Sequence, residues 1–270
     1  MFGDISKRGL VLLGCGKMGS AMLAGWLDGG LAASSVWVLD PKPSDWLRGI
    51  DGLHLNQDLP PDPAIVLVAV KPQMMGEALP VLKALGDGAT LFISVAAGTP
   101  IAAYEAALGA RTPIIRAMPN TPAAVGRGIT ALIGNAQIDA AQMDLAEALL
   151  SAVGQTVRLD NEGQMDAVTA VSGSGPAYVF HLIETLAAAG VAEGLPGDLA
   201  MKLARATVGG AGVLAEEADE DPAQLRVNVT SPQGTTAAAL EVLMDAETGF
   251  PALLRRAVAA AANRSRELAR

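Results

Sequence analysis

The sequence predicts an α/β chain in which an N-terminal doubly wound sheet, residues 1–158, is followed by an all-α domain, residues 159–270. Three observations predict it. In the first half, short β-branched runs alternate with helical patterns, the signature of a parallel sheet flanked by helices. After about residue 158 the strand signals stop, and apolar residues recur at helical spacing to the end. Hydrophobic residues make up 51% of the 270 and charged residues only 17%, enough apolar material for two buried cores.

Strands are predicted at 9–13, 36–39, 64–70, 90–95, 113–118 and 128–133. Runs such as Ile65-Val66-Leu67-Val68-Ala69-Val70 are continuously apolar, as strands buried on both faces must be. Helices are predicted between them at 18–28, 73–85, 100–108 and 140–153, the last capped by Asp139. In the second half, 175–192 and 198–218 carry apolar and small residues at helical spacing, with Gly194-Leu195-Pro196-Gly197 as the turn between them. A helical unit of this size with so many apolar alanines, valines and leucines does not bury them alone, so a homodimer through the second domain is expected.

Composition excludes several functions. Aromatic residues are 3% of the chain, too few for stacking platforms on single-stranded nucleic acid. With 19 basic and 28 acidic residues the net charge is −9, which gives no general attraction for phosphate backbones or anionic lipid. Neither nucleic acid nor membrane is an expected partner, and no run approaches the ~18 apolar residues of a membrane span. One cysteine and two histidines permit no intrachain disulfide and leave few candidates for a His/Cys metal cluster. Lys7 and Arg8 ahead of an apolar run ending at Cys15 imitate a lipoprotein leader, but the run is too short for one. A cytoplasmic protein without a metal is expected.

Gly14-Cys15-Gly16-Lys17-Met18-Gly19 is a G-x-G-x-x-G that follows the first strand and opens a helix, the fingerprint of a Rossmann-type dinucleotide site. Gly14 permits the tight turn, Gly16 lets backbone N–H groups approach a pyrophosphate, and Gly19 lets the helix pack on the strand. The run lacks the Lys-Ser/Thr ending of a P-loop. Asp40, at the end of the second strand, stands where an acidic residue bonds the adenine ribose and favours NADH. A carboxylate about 4 Å from a 2′-phosphate costs up to ~4 kcal/mol at an effective dielectric of 20. Lys42 is placed to offset that repulsion or to bind the phosphate itself, and Asp40-Pro41-Lys42-Pro43 also reads as an ordinary strand-ending turn.

Two clusters rich in glycine and hydroxyl groups each precede a helix: Ser172-Gly173-Ser174-Gly175-Pro176-Ala177-Tyr178 and Thr230-Ser231-Pro232-Gln233-Gly234-Thr235-Thr236. Unpaired N–H groups and a favourable dipole let such a terminus bind a carboxylate without an arginine. Plain N-capping with Pro in the first turn accounts for the same residues.

Together these strings resemble the pyrroline-5-carboxylate reductase family. The resemblance rests on Gly14–Gly19, Ala69-Val70-Lys71-Pro72, Ser94-Val95-Ala96-Ala97-Gly98, Arg116-Ala117-Met118-Pro119-Asn120-Thr121-Pro122, residues 170–178 and residues 228–236, and covers nearly the whole chain. It implies hydride transfer from NADPH or NADH to the C=N carbon of 1-pyrroline-5-carboxylate, giving L-proline in the last step of proline biosynthesis. It implies that the dinucleotide is held by the fingerprint loop, Asn56, the loops Ala69–Pro72 and Val95, Ala96 and Ala97, and by Glu162 and Asn228 from the helical domain. The substrate carboxylate is implied at Ser231, Gly234 and Thr235, with the Thr236 hydroxyl near the ring nitrogen as the catalytic group. A dimer through the helical domains, assembled further into decamers in some members, is implied with an active site that uses both subunits.

Two departures stand out: Gln233 replaces a glycine of many members, and Asp40 replaces the small polar residue of NADPH-preferring ones. Asp40 therefore leans to NADH and family habit to NADPH. An alternative of similar build, a β-hydroxyacid dehydrogenase, needs a lysine on an interdomain helix. Lys202, the only lysine of the helical half, lacks the surrounding motif. A non-catalytic dinucleotide sensor has no need of the loop at 230–236. His54 and His181 read as surface or packed residues. Cys15 reads as a small filler whose pKa a helix N-terminus lowers.

Overall fold

The computed structural model describes residues 2–268. It divides into two compact units, Met1–Gly173 with Ala262–Arg270, and Ser174–Ala261. The first is built on eight strands: β1 Leu10–Leu13, β2 Val36–Leu39, β3 His54–Leu55, β4 Ile65–Val68, β5 Leu91–Ser94, β6 Ile114–Met118, β7 Gly128–Gly134 and β8 Gly154–Arg158. Their order is β3-β2-β1-β4-β5-β6-β7-β8. All pairs are parallel except β6 with β7, which run antiparallel.

Helices of this unit are α1 Gly3–Arg8, α2 Lys17–Asp28, α3 Asp45–Arg48, α4 Met75–Ala78, α5 Ile101–Leu108, α6 Ala140–Leu150 and α7 Met165–Val168. Because side chains alternate along a strand, β1 sends Leu10 and Leu12 to one face and Val11 and Leu13 to the other. The first pair packs with Met22, Leu23 and Trp26 of α2 and with Leu149 and Leu150 of α6. The second packs with Met75, Leu79 and Leu82 on one segment and Tyr104 and Leu108 of α5. A buried hydrogen bond of 2.8 Å from Trp26 Nε1 to the Leu149 carbonyl ties the two helices of the first layer.

Several expectations are corrected here. A purely parallel sheet fails at β7, because only nine residues, Pro119 to Arg127, link it to β6, fewer than a parallel crossover needs. The strands β3 and β8 were not foreseen. β3 has two residues, and β8 is a largely exposed edge strand without an apolar run. The helix expected over 73–85 is instead a 3₁₀ turn Pro72–Met74, then α4, then a 3₁₀ segment Leu79–Leu85. Pro80 has no N–H to carry the α pattern through. Asp139 caps α6 as expected, in a full capping box with Gln142.

The second unit contains α8 Gly175–Ala192, α9 Gly197–Glu217, α10 Pro222–Asn228, α11 Thr235–Leu243 and most of α12 Phe250–Leu268. Its buried apolar cluster is Ala187, Ala200 and Ala204 with Ile183 packed on it. Small side chains let α8 and α9 approach: a Cβ on Gly190 would lie 3.4 Å from that of Ala200. Larger apolar residues, among them Phe180, Leu186, Leu203, Leu214 and Leu253, are exposed.

Candidate functional site

The loops after β1, β4 and β5 lie side by side at the carboxyl ends of adjacent parallel strands, where ligands bind in open α/β sheets. Gly14 has φ +88°, and a Cβ there would come within 2.8 Å of Val70 Cγ1, so only glycine makes this turn. A Cβ on Gly19 would overlap the Gly14 carbonyl, which is why α2 can start directly against the strand. Gly16 has open space around it, and no side chain caps α2. Its first-turn N–H groups, on Lys17, Met18 and Gly19, are therefore available to an anion. A cradle that a side chain would fill, facing an uncapped helix N-terminus, fits a dinucleotide pyrophosphate.

Asp40 closes one side of this cradle. Its Oδ2 accepts the Cys15 N–H at 2.7 Å and its Oδ1 the Lys42 N–H at 2.7 Å. Asn56, held at φ +52°, accepts the Asp40 N–H at 2.9 Å and donates to the Asp40 carbonyl at 2.9 Å. The structure thus joins three residues that the sequence offered separately. Burial and the Asp40 charge push the Cys15 thiol up to about 12, which reverses the lowered pKa expected from its place at a helix N-terminus.

Ala69 follows β4 and donates its N–H to Leu13 at 2.8 Å, while Val95 after β5 donates to Val68 at 3.0 Å. Lys71 and Pro72 are exposed, and so is Ala97, whereas Val70 and Ala96 are buried. Ser94 Oγ accepts the Ala96 N–H at 3.3 Å and bonds the Tyr104 hydroxyl. Glu162, brought by folding to residues 46 and 61 positions earlier, accepts from Arg116 at 2.7 Å and from the Ile101 N–H at 2.9 Å. Ser94 and Arg116 stand in the sequence only as the first residues of two motif strings, without a role of their own, and Tyr104 stands in none.

In the second unit, Asn228 ends α10 and its Oδ1 accepts Gln224 Nε2 at 2.7 Å. Gly234 is the N-cap of α11 and contributes no side chain, so the N–H groups of the first turn, including those of Thr235 and Thr236, are uncapped. The Gly234 N–H donates to the Ser231 carbonyl at 3.0 Å. Gln233 sits at φ +60°, the left-handed region that its glycine counterparts enter without strain. Ser231, Thr235 and Thr236 are exposed, so the loop presents hydroxyl and N–H donors together, a site for a carboxylate.

The other hydroxyl cluster, for which anion binding and plain N-capping were both open, follows a wound segment. A π-helical turn, Thr169–Gly173, precedes α8, and Ser172 Oγ donates back to the Val168 carbonyl at 3.0 Å. Ser172 is thereby engaged by the preceding turn, and no side chain caps α8. His54 stacks on Trp37 with ring centroids 4.2 Å apart, and His181 pairs with Glu184 at 3.2 Å. Among the described residues no group of three His, Cys, Asp or Glu side chains could hold a metal ion, and no helix is long and apolar enough to cross a membrane.

A glycine cradle beside the first crossover of a 3-2-1-4-5-6 sheet, with a helical second unit, defines a dinucleotide-binding protein of Rossmann type. Residues 9–98 match the family described as NADP oxidoreductase, coenzyme F420-dependent, and residues 162–268 the family described as pyrroline-5-carboxylate reductase dimerisation. The pyrroline-5-carboxylate reductase of Pseudomonas aeruginosa is 40% identical over 98% of this chain and 98% of its own. That of Synechocystis sp. is 42% identical over 96% and 97%. A solved pyrroline-5-carboxylate reductase from Coxiella burnetii, 34% identical, superposes with a TM-score of 0.91 over 97% of this chain and 99% of that one. The Plasmodium falciparum pyrroline carboxylate reductase with NADP bound, 29% identical, gives 0.84 over 98% and 99%. The chain belongs to the pyrroline-5-carboxylate reductase family.

Proposed function

We propose that this protein reduces 1-pyrroline-5-carboxylate to L-proline with a nicotinamide dinucleotide, the last step of proline biosynthesis. The observation that carries this is 40% identity to a pyrroline-5-carboxylate reductase over 98% of both chains. Residues 1–158 act as the dinucleotide domain and 159–270 as the substrate and dimerisation domain of a homodimer, with a decamer as its larger assembly, in the cytoplasm.

When bound, the nicotinamide supplies the hydride. The N–H groups of Lys17, Met18 and Gly19 hold the pyrophosphate, and the loops Ala69–Pro72 and Val95, Ala96 and Ala97 flank the dinucleotide. Asp40 keeps acceptor capacity on both oxygens beyond its two backbone bonds, so it takes the adenine ribose hydroxyls and favours NADH over NADPH. Asn228 contributes to the dinucleotide site from the second domain. The Ser231 hydroxyl and the N–H of Thr235 anchor the substrate carboxylate, and Gly234, whose own N–H is engaged by the Ser231 carbonyl, leaves the approach clear because it has no side chain. Thr236 places its hydroxyl at the imine nitrogen, directly or through a water. An imine that binds protonated needs no strong acid, and orientation with charge matching is the protein's share.

The test follows nicotinamide absorbance while the purified protein acts on 1-pyrroline-5-carboxylate, with NADH and NADPH in parallel. Turnover is expected with both and a higher kcat/KM with NADH. Tight dinucleotide binding with no turnover would refute the substrate assignment.

A further inference from the structure

Arg116 is 5% exposed, lies on β6 and is in register with Ser94 at the end of β5. A buried guanidinium needs an anion, since an uncompensated charge away from water is costly. Its partner is Glu162: Arg116 Nη1 donates to Glu162 Oε1 at 2.7 Å. The same oxygen accepts the Ile101 N–H at 2.9 Å, the first N–H of α5. Pro100, the N-cap, has no side chain able to do this, so Glu162 is the remote cap of α5, where a carboxylate also meets the favourable end of the helix dipole.

Between Ser94 and Ile101 runs the loop assigned to the dinucleotide. It is held at its start by Ser94 Oγ, which accepts the Ala96 N–H at 3.3 Å and bonds Tyr104. It is held at its end by Glu162. The segment carrying Glu162 is anchored in turn four residues later, where Asp166 Oδ1 accepts the Ser265 hydroxyl at 2.6 Å.

We propose that Arg116 and Glu162 are positioning residues that fix the loop 95–100 for the dinucleotide, and that Glu162 acts through this loop and not by contact with the cofactor. The inference rests on the proposed function, because the loop matters only if a dinucleotide lies on it. Glu162→Gln keeps an oxygen for both donors, Glu162→Ala removes it, and Arg116→Met removes the cation that orients it.

The experiment measures Kd for NADH and for NADPH by fluorescence titration of each folded full-length variant, with KM and kcat alongside. Misplacing a reacting group by about 1 Å is enough to cost up to ~100-fold in rate, so a displaced loop is read in kcat as well as in Kd. Glu162→Ala and Arg116→Met are expected to raise both Kd values about tenfold, with Glu162→Gln within about threefold of wild type. Direct contact predicts the opposite pattern, Arg116→Met binding as wild type and Glu162→Gln as impaired as Glu162→Ala, and that pattern would overturn the inference. Should Arg116→Met not fold, the two Glu162 variants decide by the same criterion. A wild-type chain that binds neither dinucleotide would bring down the functional reading itself, a failure visible before any variant is compared.

Discussion

Asp40 carries two backbone hydrogen bonds and a full negative charge at the rim of the glycine cradle. A 2′-phosphate entering there meets that charge, whereas a 2′-hydroxyl meets an acceptor. Asp40→Ser is therefore expected to move the ratio of kcat/KM values toward NADPH by about tenfold or more, since relief of only ~1.4 kcal/mol of repulsion suffices; steady-state rates with each dinucleotide measure it. Thr236→Ala should lower kcat/KM for 1-pyrroline-5-carboxylate by about one to two orders of magnitude, and an unchanged value would remove Thr236 from the mechanism. Cys15 offers a pH test. Its acid form is favoured in the fold, with the thiol raised from 9.0 to about 12, so the stability it contributes is complete below pH 9 and is lost as pH rises toward 12. The loss is about 1.4 kcal/mol per pH unit in that window. Urea denaturation at pH 8 and 10 should show a steeper fall for the native chain than for Cys15→Ala.

Among the elements, α2 does two jobs at one end. Gly19 lets the helix start against the Gly14 carbonyl, and the resulting close approach aims the uncapped first turn at the cradle. Gly19→Ala would push the helix away from the strand. A lower melting temperature and a weaker Kd for both dinucleotides are expected together, and calorimetry with titration would show whether they move together. α11 presents its N-terminus with equal economy, but from a loop in which Gln233 pays the left-handed strain at φ +60° that a glycine avoids. Pro80 shows the reverse case, where one residue converts an expected helix into 3₁₀ turns.

At the level of the molecule, the two units differ in how they bury apolar surface. The first encloses large side chains such as Trp26, Phe92 and Tyr104 between a sheet and two helix layers. The second buries alanines and leaves Phe180 59% exposed with Leu214 at 55%, more apolar surface than a soluble monomer ordinarily presents. Self-association through the region matched to a dimerisation domain answers that imbalance. Light scattering at micromolar concentration should give a mass of at least twice the 27.4 kDa chain. A monomeric mass would contradict it.

Local chemistry made much of this legible before folding. All six expected strands form with their ends shifted by at most two residues, because a run such as Ile65-Val66-Leu67-Val68 has no other stable place than a sheet buried on both faces. The glycine fingerprint announced the cradle because close approach of backbone to ligand demands residues without a Cβ. What required the folded chain was every contact whose partners lie far apart in sequence. The Asn56 clamp on Asp40 and the reversed pKa of Cys15 each depend on neighbours that periodicity cannot name. Arg116 and Glu162 are the plainest case: the ion pair joins a strand to a turn 46 positions away, and only the fold brings a carboxylate to the guanidinium that it buries.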